Sequence, residues 1–215
     1  MARIKAPSKG RTYEQTQLIP IDEYDTTPDD WCRDDWATPD NLARAIAGMV
    51  EPHEKKIVEF SAGTGAIAKY LPDGSFCIEL HPMRCETGRA LYPQHKWVND
   101  SYITWAKSKK SPKHVDVIVG NPPFSRLHEF LEASAPKLER GGRMLLILPS
   151  DFCQPKGIAR YLQELPLIIT RKWPIVGRVD YLKETVLVKG RQCSDSIFEI
   201  KHEDFGTANI IPLRI

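Results

Sequence analysis

The chain has 215 residues, 41% of them hydrophobic and 27% charged, with 30 basic against 28 acidic side chains and a formal net charge of +2. That size fits one domain with a single core, and the charge balance excludes a general positive coat, so any contact with nucleic acid has to come from a local patch. No apolar run reaches the roughly 18–20 residues of a membrane span and the N-terminus is polar; five scattered cysteines without a Cys-x-x-Cys pair argue against a disulfide framework or a zinc cage, so a cytoplasmic, reducing setting without a bound metal is expected.

Residues 1–35 read as an irregular polar arm, basic at Arg3, Lys5, Lys9 and Arg11 and acidic from Asp22 to Asp40. A single domain is expected over 36–215. It opens at Trp36-Ala37-Thr38-Pro39, where Thr38 suits an N-cap and Pro39 the first helical position, and Leu42, Ala45, Ile46 and Met49 follow at helical spacing. Seven short apolar runs then alternate with amphipathic stretches: Ile57–Phe60, Phe76–Leu80, Trp97-Val98, Val115–Val119, Met144–Leu148, Leu167–Ile169 and Ser196–Ile200. That rhythm predicts an α/β domain with a seven-stranded, mostly parallel sheet. Leu127, Phe130, Leu131, Ala135 and Leu138 mark a helical face between the fourth and fifth runs, closed by Gly141-Gly142.

The first run leads into Glu59-Phe60-Ser61-Ala62-Gly63-Thr64-Gly65. Glycines there let backbone approach a ligand, and a helix start behind them would offer N–H groups to a nucleotide-like molecule. The loop lacks the Gly-Lys-Ser/Thr of a phosphate-binding loop and the third glycine of a dinucleotide fingerprint. Glu79 ends the second run, where a carboxylate can take both hydroxyls of a ribose. Asp100 follows the third run, placed to accept from an adenine amino group, although a turn aspartate would look the same.

The fourth run ends in Gly120-Asn121-Pro122-Pro123-Phe124. Two prolines restrain the backbone and supply no N–H, which leaves the Asn121 side chain and the Pro122 carbonyl as rigid acceptors. A conjugated amino group is a poor nucleophile. Two acceptors on its hydrogens favour the pyramidal nitrogen needed for attack, a preorganised stabilisation of the transition state. Phe124 offers a flat face to a flipped-out base.

This tetrad resembles that of the S-adenosylmethionine-dependent amino-group methyltransferases, and Glu59 to Gly65 resembles their cofactor loop. Trp36-Ala37-Thr38-Pro39 followed by a helix is similar to the N-terminal cofactor motif of DNA adenine-N6 methyltransferases, with the same motif order. The resemblance spans roughly residues 36 to 200 and implies a Rossmann-like class I fold whose last strand is antiparallel. It implies that Ala37, Thr38 and Pro39, with the backbone of the Ser61, Ala62, Gly63, Thr64 and Gly65 loop, hold the methionine end of the cofactor, and that Trp36 and Glu59 also belong to its binding residues. Glu79 would take the ribose and Asp100 the adenine amino group, with Leu80, Ser101 and Tyr102 beside the ring. Asn121, Pro122, Pro123 and Phe124 would be catalytic, Asn121 also bordering the cofactor.

A basic insertion at 171–191 carries Arg171, Lys172, Arg178 and Lys183 with Trp173 and Tyr181 interleaved, a pattern suited to following phosphates and stacking on bases. Such contacts give affinity with little sequence information. The partner expected is DNA, with RNA as an alternative, and no membrane. Three functions stay open: methylation of adenine N6 in DNA, the same chemistry on RNA adenine or a protein glutamine, and a non-enzymatic nucleotide- or nucleic-acid-binding module. Cytosine C5 methylation is disfavoured, because it needs a cysteine nucleophile that usually follows proline, and no Pro-Cys occurs.

Overall fold

Strands hidden on both faces need apolar side chains at consecutive positions; five of the seven runs become interior strands of that kind, and the runs at Trp97-Val98 and Leu167–Ile169 become edge strands that are only partly buried. The computed structural model describes residues 37–138, 140–152, 156–176, 182–183, 186–187 and 195–205; Trp36, Arg178 and Tyr181 lie outside them. The strands are β1 (Ile57–Phe60), β2 (Phe76–Glu79), β3 (Lys96–Asn99), β4 (Val117–Gly120), β5 (Arg143–Pro149), β6 (Leu167–Pro174), a small hairpin of β7 (Leu182–Lys183) and β8 (Val186–Leu187), and β9 (Asp195–His202). The main sheet has the order β3-β2-β1-β4-β5-β9-β6. β1 to β5 are parallel, and β9 runs antiparallel between β5 and β6.

The sheet carries a core on each face. Val58, Phe60, Ile118, Met144, Leu146, Leu148, Phe198 and Ile200 point to one side, where α3 (Tyr102–Lys107) and α4 (Leu127–Ser134) cover them. Ile57, Val117, Val119, Leu145, Ile147 and Ile197 point to the other, where α1 (Asp40–Ala47) buries Leu42, Ala43, Ile46 and Ala47. The alternation along each strand follows the period of two in an extended chain. α2 (Pro82–Leu91) packs Cys85 against Cys77 and Trp97 near the β3 edge, and α5 (Lys156–Glu164) precedes β6.

Three expectations are corrected. Pro39, in extended backbone, is the N-cap of α1, so the helix starts one residue later than expected and the Thr38 hydroxyl does not cap it. No α-helix follows the glycine loop. The chain makes turns and a single 3₁₀ turn at Ala68–Tyr70, because Gly65 has a positive φ and Leu71, held extended before Pro72, leaves too few residues for a helix. The basic insertion begins later than Arg171: pairing with β9 continues from Arg171↔Glu199 to Pro174↔Ser196, so Arg171, Lys172 and Trp173 belong to β6.

At the N-terminal end of β5 the Arg143 guanidinium bonds Glu54 at 2.8 and 3.0 Å, Glu199 at 2.6 Å and the Met49 carbonyl at 2.7 Å. It ties the segment after α1 to β5 and β9. Burial works to raise the Glu199 carboxyl, yet the hydrogen bonds from Thr170 and Arg143 outweigh it and hold it below the usual range. Removing the cation would strand two buried carboxylates. Arg143→Met is therefore expected to lower stability by about 3–5 kcal/mol, measured by urea unfolding; an unchanged midpoint would show that the network contributes nothing net.

Candidate active site

The parallel strands deliver the candidate residues to one rim. Register pairs Phe60 with Gly120, Phe60 with Ile78 and Glu79 with Asn99, so the loops leaving β1 to β4 emerge side by side at the carboxyl ends, the place where open α/β sheets gather ligands.

The loop after β1 turns through Ser61 and Gly63, both at positive φ, and Gly65 at φ +99°. A Cβ on Gly65 would lie 2.6 Å from the Tyr92 ring, so only glycine fits that close approach. At Gly63 the same direction is open space, a free flank beside the backbone. Ala62 is buried, its N–H donating to the Ile78 carbonyl at 3.1 Å, which locks the loop onto β2. Thr64 is half-buried.

Glu79 anchors the rim. Its carboxylate accepts the Gly63 N–H at 2.7 Å and the His81 N–H at 2.8 Å, one on each oxygen. These bonds orient the carboxylate at the rim, and a carboxylate is an acceptor-only group with two oxygens, the chemistry that suits the two O–H donors of a vicinal diol. Leu80, beside it, is half-buried, and its carbonyl accepts from Asn99 Nδ2 at 2.8 Å. Asp100 Oδ1 accepts the Ser101 N–H at 2.7 Å, which fixes the turn at the end of β3, and both residues remain half-buried.

Two residues expected at the cofactor site are buried. Tyr102 is buried in the core, stacked on Phe130 with ring centroids 5.5 Å apart, and its hydroxyl shares a 2.8 Å hydrogen bond with Ser134. An aromatic ring that follows a strand-end acid reads identically in sequence whether it faces the ligand or the core. Glu59 is only 2% exposed and lies under the loop, taking a hydrogen bond from the Ala68 backbone with Cys77 Sγ 3.9 Å away. Burial, reinforced by the nearby Glu79 charge, pushes its carboxyl well above the usual range, which favours its protonated form beneath the loop.

The tetrad leaves β4 as expected. Gly120 is obligatory, since a Cβ there would lie 2.5 Å from the Phe60 ring. Asn121 is half-buried, and its Nδ2 donates to Thr38 Oγ at 3.4 Å, across 83 residues of sequence. The amino-terminal motif and the tetrad therefore meet. Pro122 is buried and Pro123 half-buried, while Phe124, also half-buried, packs one side of its ring on the core. α1 is clamped beside this junction by Asp40, which receives hydrogen bonds from Tyr70 and Lys69.

The basic residues are more dispersed. Lys172 donates to the Ser150 carbonyl at 2.7 Å and Trp173 packs against the core, so both are used by the fold. Arg171 is 60% exposed and 3.9 Å from Glu199, part-way along β6 and short of the rim. Lys183 lies on the β7 strand. The Thr38–Asn121 contact was invisible in the sequence; the only signal was a hydroxyl with two possible uses, cap or partner.

No protein-family model matches the sequence, and neither does any curated protein. Solved structures do match in fold. A protein from Pyrococcus horikoshii provisionally described as an RNA methyltransferase is 14% identical, with a TM-score of 0.62 over 82% of this chain and 90% of its own. A TehB-like S-adenosylmethionine-dependent methyltransferase from Corynebacterium glutamicum is 15% identical, with a TM-score of 0.52 over 74% and 85%. The glycopeptide N-methyltransferase MtfA, solved with S-adenosyl-L-methionine, is 13% identical, with a TM-score of 0.55 over 77% and 94%. The chain has the Rossmann-like class I methyltransferase fold. Among the described residues no helix is long and apolar enough to cross a membrane.

The state of Glu59 has a measurable consequence. Its folded pKa lies above the ordinary 4.5, so the unfolded chain ionises first, and stability falls as pH rises above about 4.5 until the folded value is reached. Glu59→Gln removes that dependence. The variant is expected to gain on the wild type by about 1 kcal/mol per pH unit across that window in urea unfolding; parallel stability curves would show Glu59 to be ionised in the folded protein.

Proposed function

We propose that this protein transfers a methyl group from S-adenosylmethionine to the exocyclic N6 amino group of adenine in DNA, acting on a flipped-out base. The observation that carries the reading is the placement of Asn121 and the Pro122 carbonyl at the end of β4, on the same rim as the oriented Glu79 carboxylate and the open flank of Gly63.

The rim fits the cofactor. The Ser61–Gly65 backbone with Ala37, Thr38 and Pro39 would hold its methionine end, Glu79 its ribose hydroxyls and Asp100 its adenine amino group, with Leu80 and Ser101 beside the ring. When bound, the cofactor would supply a methyl group activated on a sulfonium for transfer to the amino nitrogen, leaving a neutral thioether, with the surplus amino proton passing to water. Asn121 Oδ1 and the Pro122 carbonyl accept the two amino hydrogens and concentrate the lone pair on nitrogen. Phe124 stacks on the base, and Pro123 keeps that ring and the acceptors in fixed relation. Phosphate contacts would come from the connection beyond Pro174, where Arg178, Tyr181 and Lys183 occur.

A second reading keeps the chemistry and takes RNA adenine as the substrate; the description of the Pyrococcus horikoshii structure as an RNA methyltransferase favours it. Radiolabel from methyl-labelled cofactor is expected in DNA in preference to RNA or a protein extract. Asn121→Ala should reduce that transfer by at least about a hundredfold, as loss of a preorganised group at the reacting atoms does, while cofactor binding measured by calorimetry persists. A fully active Asn121→Ala protein would contradict the chemistry, and preferential labelling of RNA or protein would contradict the substrate.

A further inference from the structure

We propose that Thr38 is a positioning residue that sets which way the Asn121 carboxamide faces. The inference rests on the function proposed above and adds a role for Thr38 other than holding the cofactor.

A carboxamide carries a donor at one corner and an acceptor at the other, nearly equal in shape, so an unrestrained Asn side chain presents either to a substrate. Only Oδ1 can accept from an amino group. Thr38 Oγ lies 3.4 Å from Asn121 Nδ2 and takes its N–H, which turns Oδ1 to the opposite side. The hydroxyl has no helix-capping duty, because Pro39 occupies the N-cap and α1 begins at Asp40. Thr38 is itself buried, at 6% exposure, so water competes poorly for the contact.

Both partners are held from independent directions. On the Thr38 side, α1 packs Leu42, Ala43, Ile46 and Ala47 into the same core cluster as Val117 and Val119 of β4. Asp40, two residues on, receives hydrogen bonds from Tyr70 and Lys69 of the 3₁₀ turn that ends the glycine-loop segment. On the Asn121 side, Gly120 lies against the Phe60 ring and two prolines follow. The hydroxyl therefore acts on an amide whose backbone is already placed, and what it decides is rotation about the last side-chain bond. Misorientation there would put a donor against the amino hydrogens, a repulsion in place of an attraction.

Thr38→Val removes the hydroxyl at constant shape, and Thr38→Ser keeps it. Two readouts are combined: ¹⁵N relaxation of the Asn121 side-chain amide in the ligand-free protein, identified by its loss in Asn121→Asp, and single-turnover methyl transfer with cofactor affinity measured separately by calorimetry. Thr38→Val is expected to give a more mobile amide and, at saturating cofactor, a transfer rate about ten- to a hundredfold lower, the scale of a misplaced reacting group, with any loss of cofactor affinity clearly smaller than the loss of rate. Thr38→Ser should recover most of both losses. An amide equally ordered in wild type and Thr38→Val overturns the proposal, as does an unchanged or faster transfer rate, or a rate loss matched by an equal loss of cofactor affinity. If wild type transfers no methyl group while amide order still depends on Thr38, the positioning contact stands and the proposed function fails.

Discussion

Parallel pairing of β1 to β4 is the constraint on which the site depends. In a parallel ladder all strands end on the same side, and the register of Phe60 with Gly120 and of Glu79 with Asn99 aligns those ends. Residues distant in sequence, Ser61 to Gly65, Glu79, Asp100 and Asn121, leave the sheet together. Such pairing requires crossover connections that cover both faces, and the two core clusters supply them. The site is thus a by-product of burying both faces of one sheet.

Rigidity at the rim comes from short links between neighbouring loops. Glu79 joins the loop after β1 to the turn after β2 through one carboxylate, and burial beside it pushes the Glu59 carboxyl toward its protonated form. Thr38 and Asn121 join the amino-terminal segment to the tetrad. Each link uses a group that would otherwise be an unsatisfied donor or acceptor in a partly dry place. At the opposite end of the sheet, Arg143 performs the same service for two carboxylates and the Met49 carbonyl.

The sheet was legible in the sequence because doubly buried strands are written as continuous apolar runs, as in Met144 to Leu148. The glycine loop and Asn121 to Phe124 were legible because backbone restraint leaves few residue choices. Less was legible where one residue type serves two environments. Tyr102 reads as a ring beside a ligand and is a core residue; Glu59 reads as a loop acid and is buried. The helix expected after Gly65 failed on a pair of local restraints, positive φ at Gly65 and Pro72 after Leu71. Arg171 to Trp173 read as a loop because their mixed polarity hides pairing with β9.

The sharpest test of the proposed amino methylation of adenine in DNA is nucleoside mass spectrometry of DNA from a host expressing the wild-type protein. N6-methyldeoxyadenosine is expected well above the level in the same host carrying an empty vector. Host DNA unchanged from that control, with newly methylated adenosine in RNA or methylated glutamine in protein instead, would contradict it.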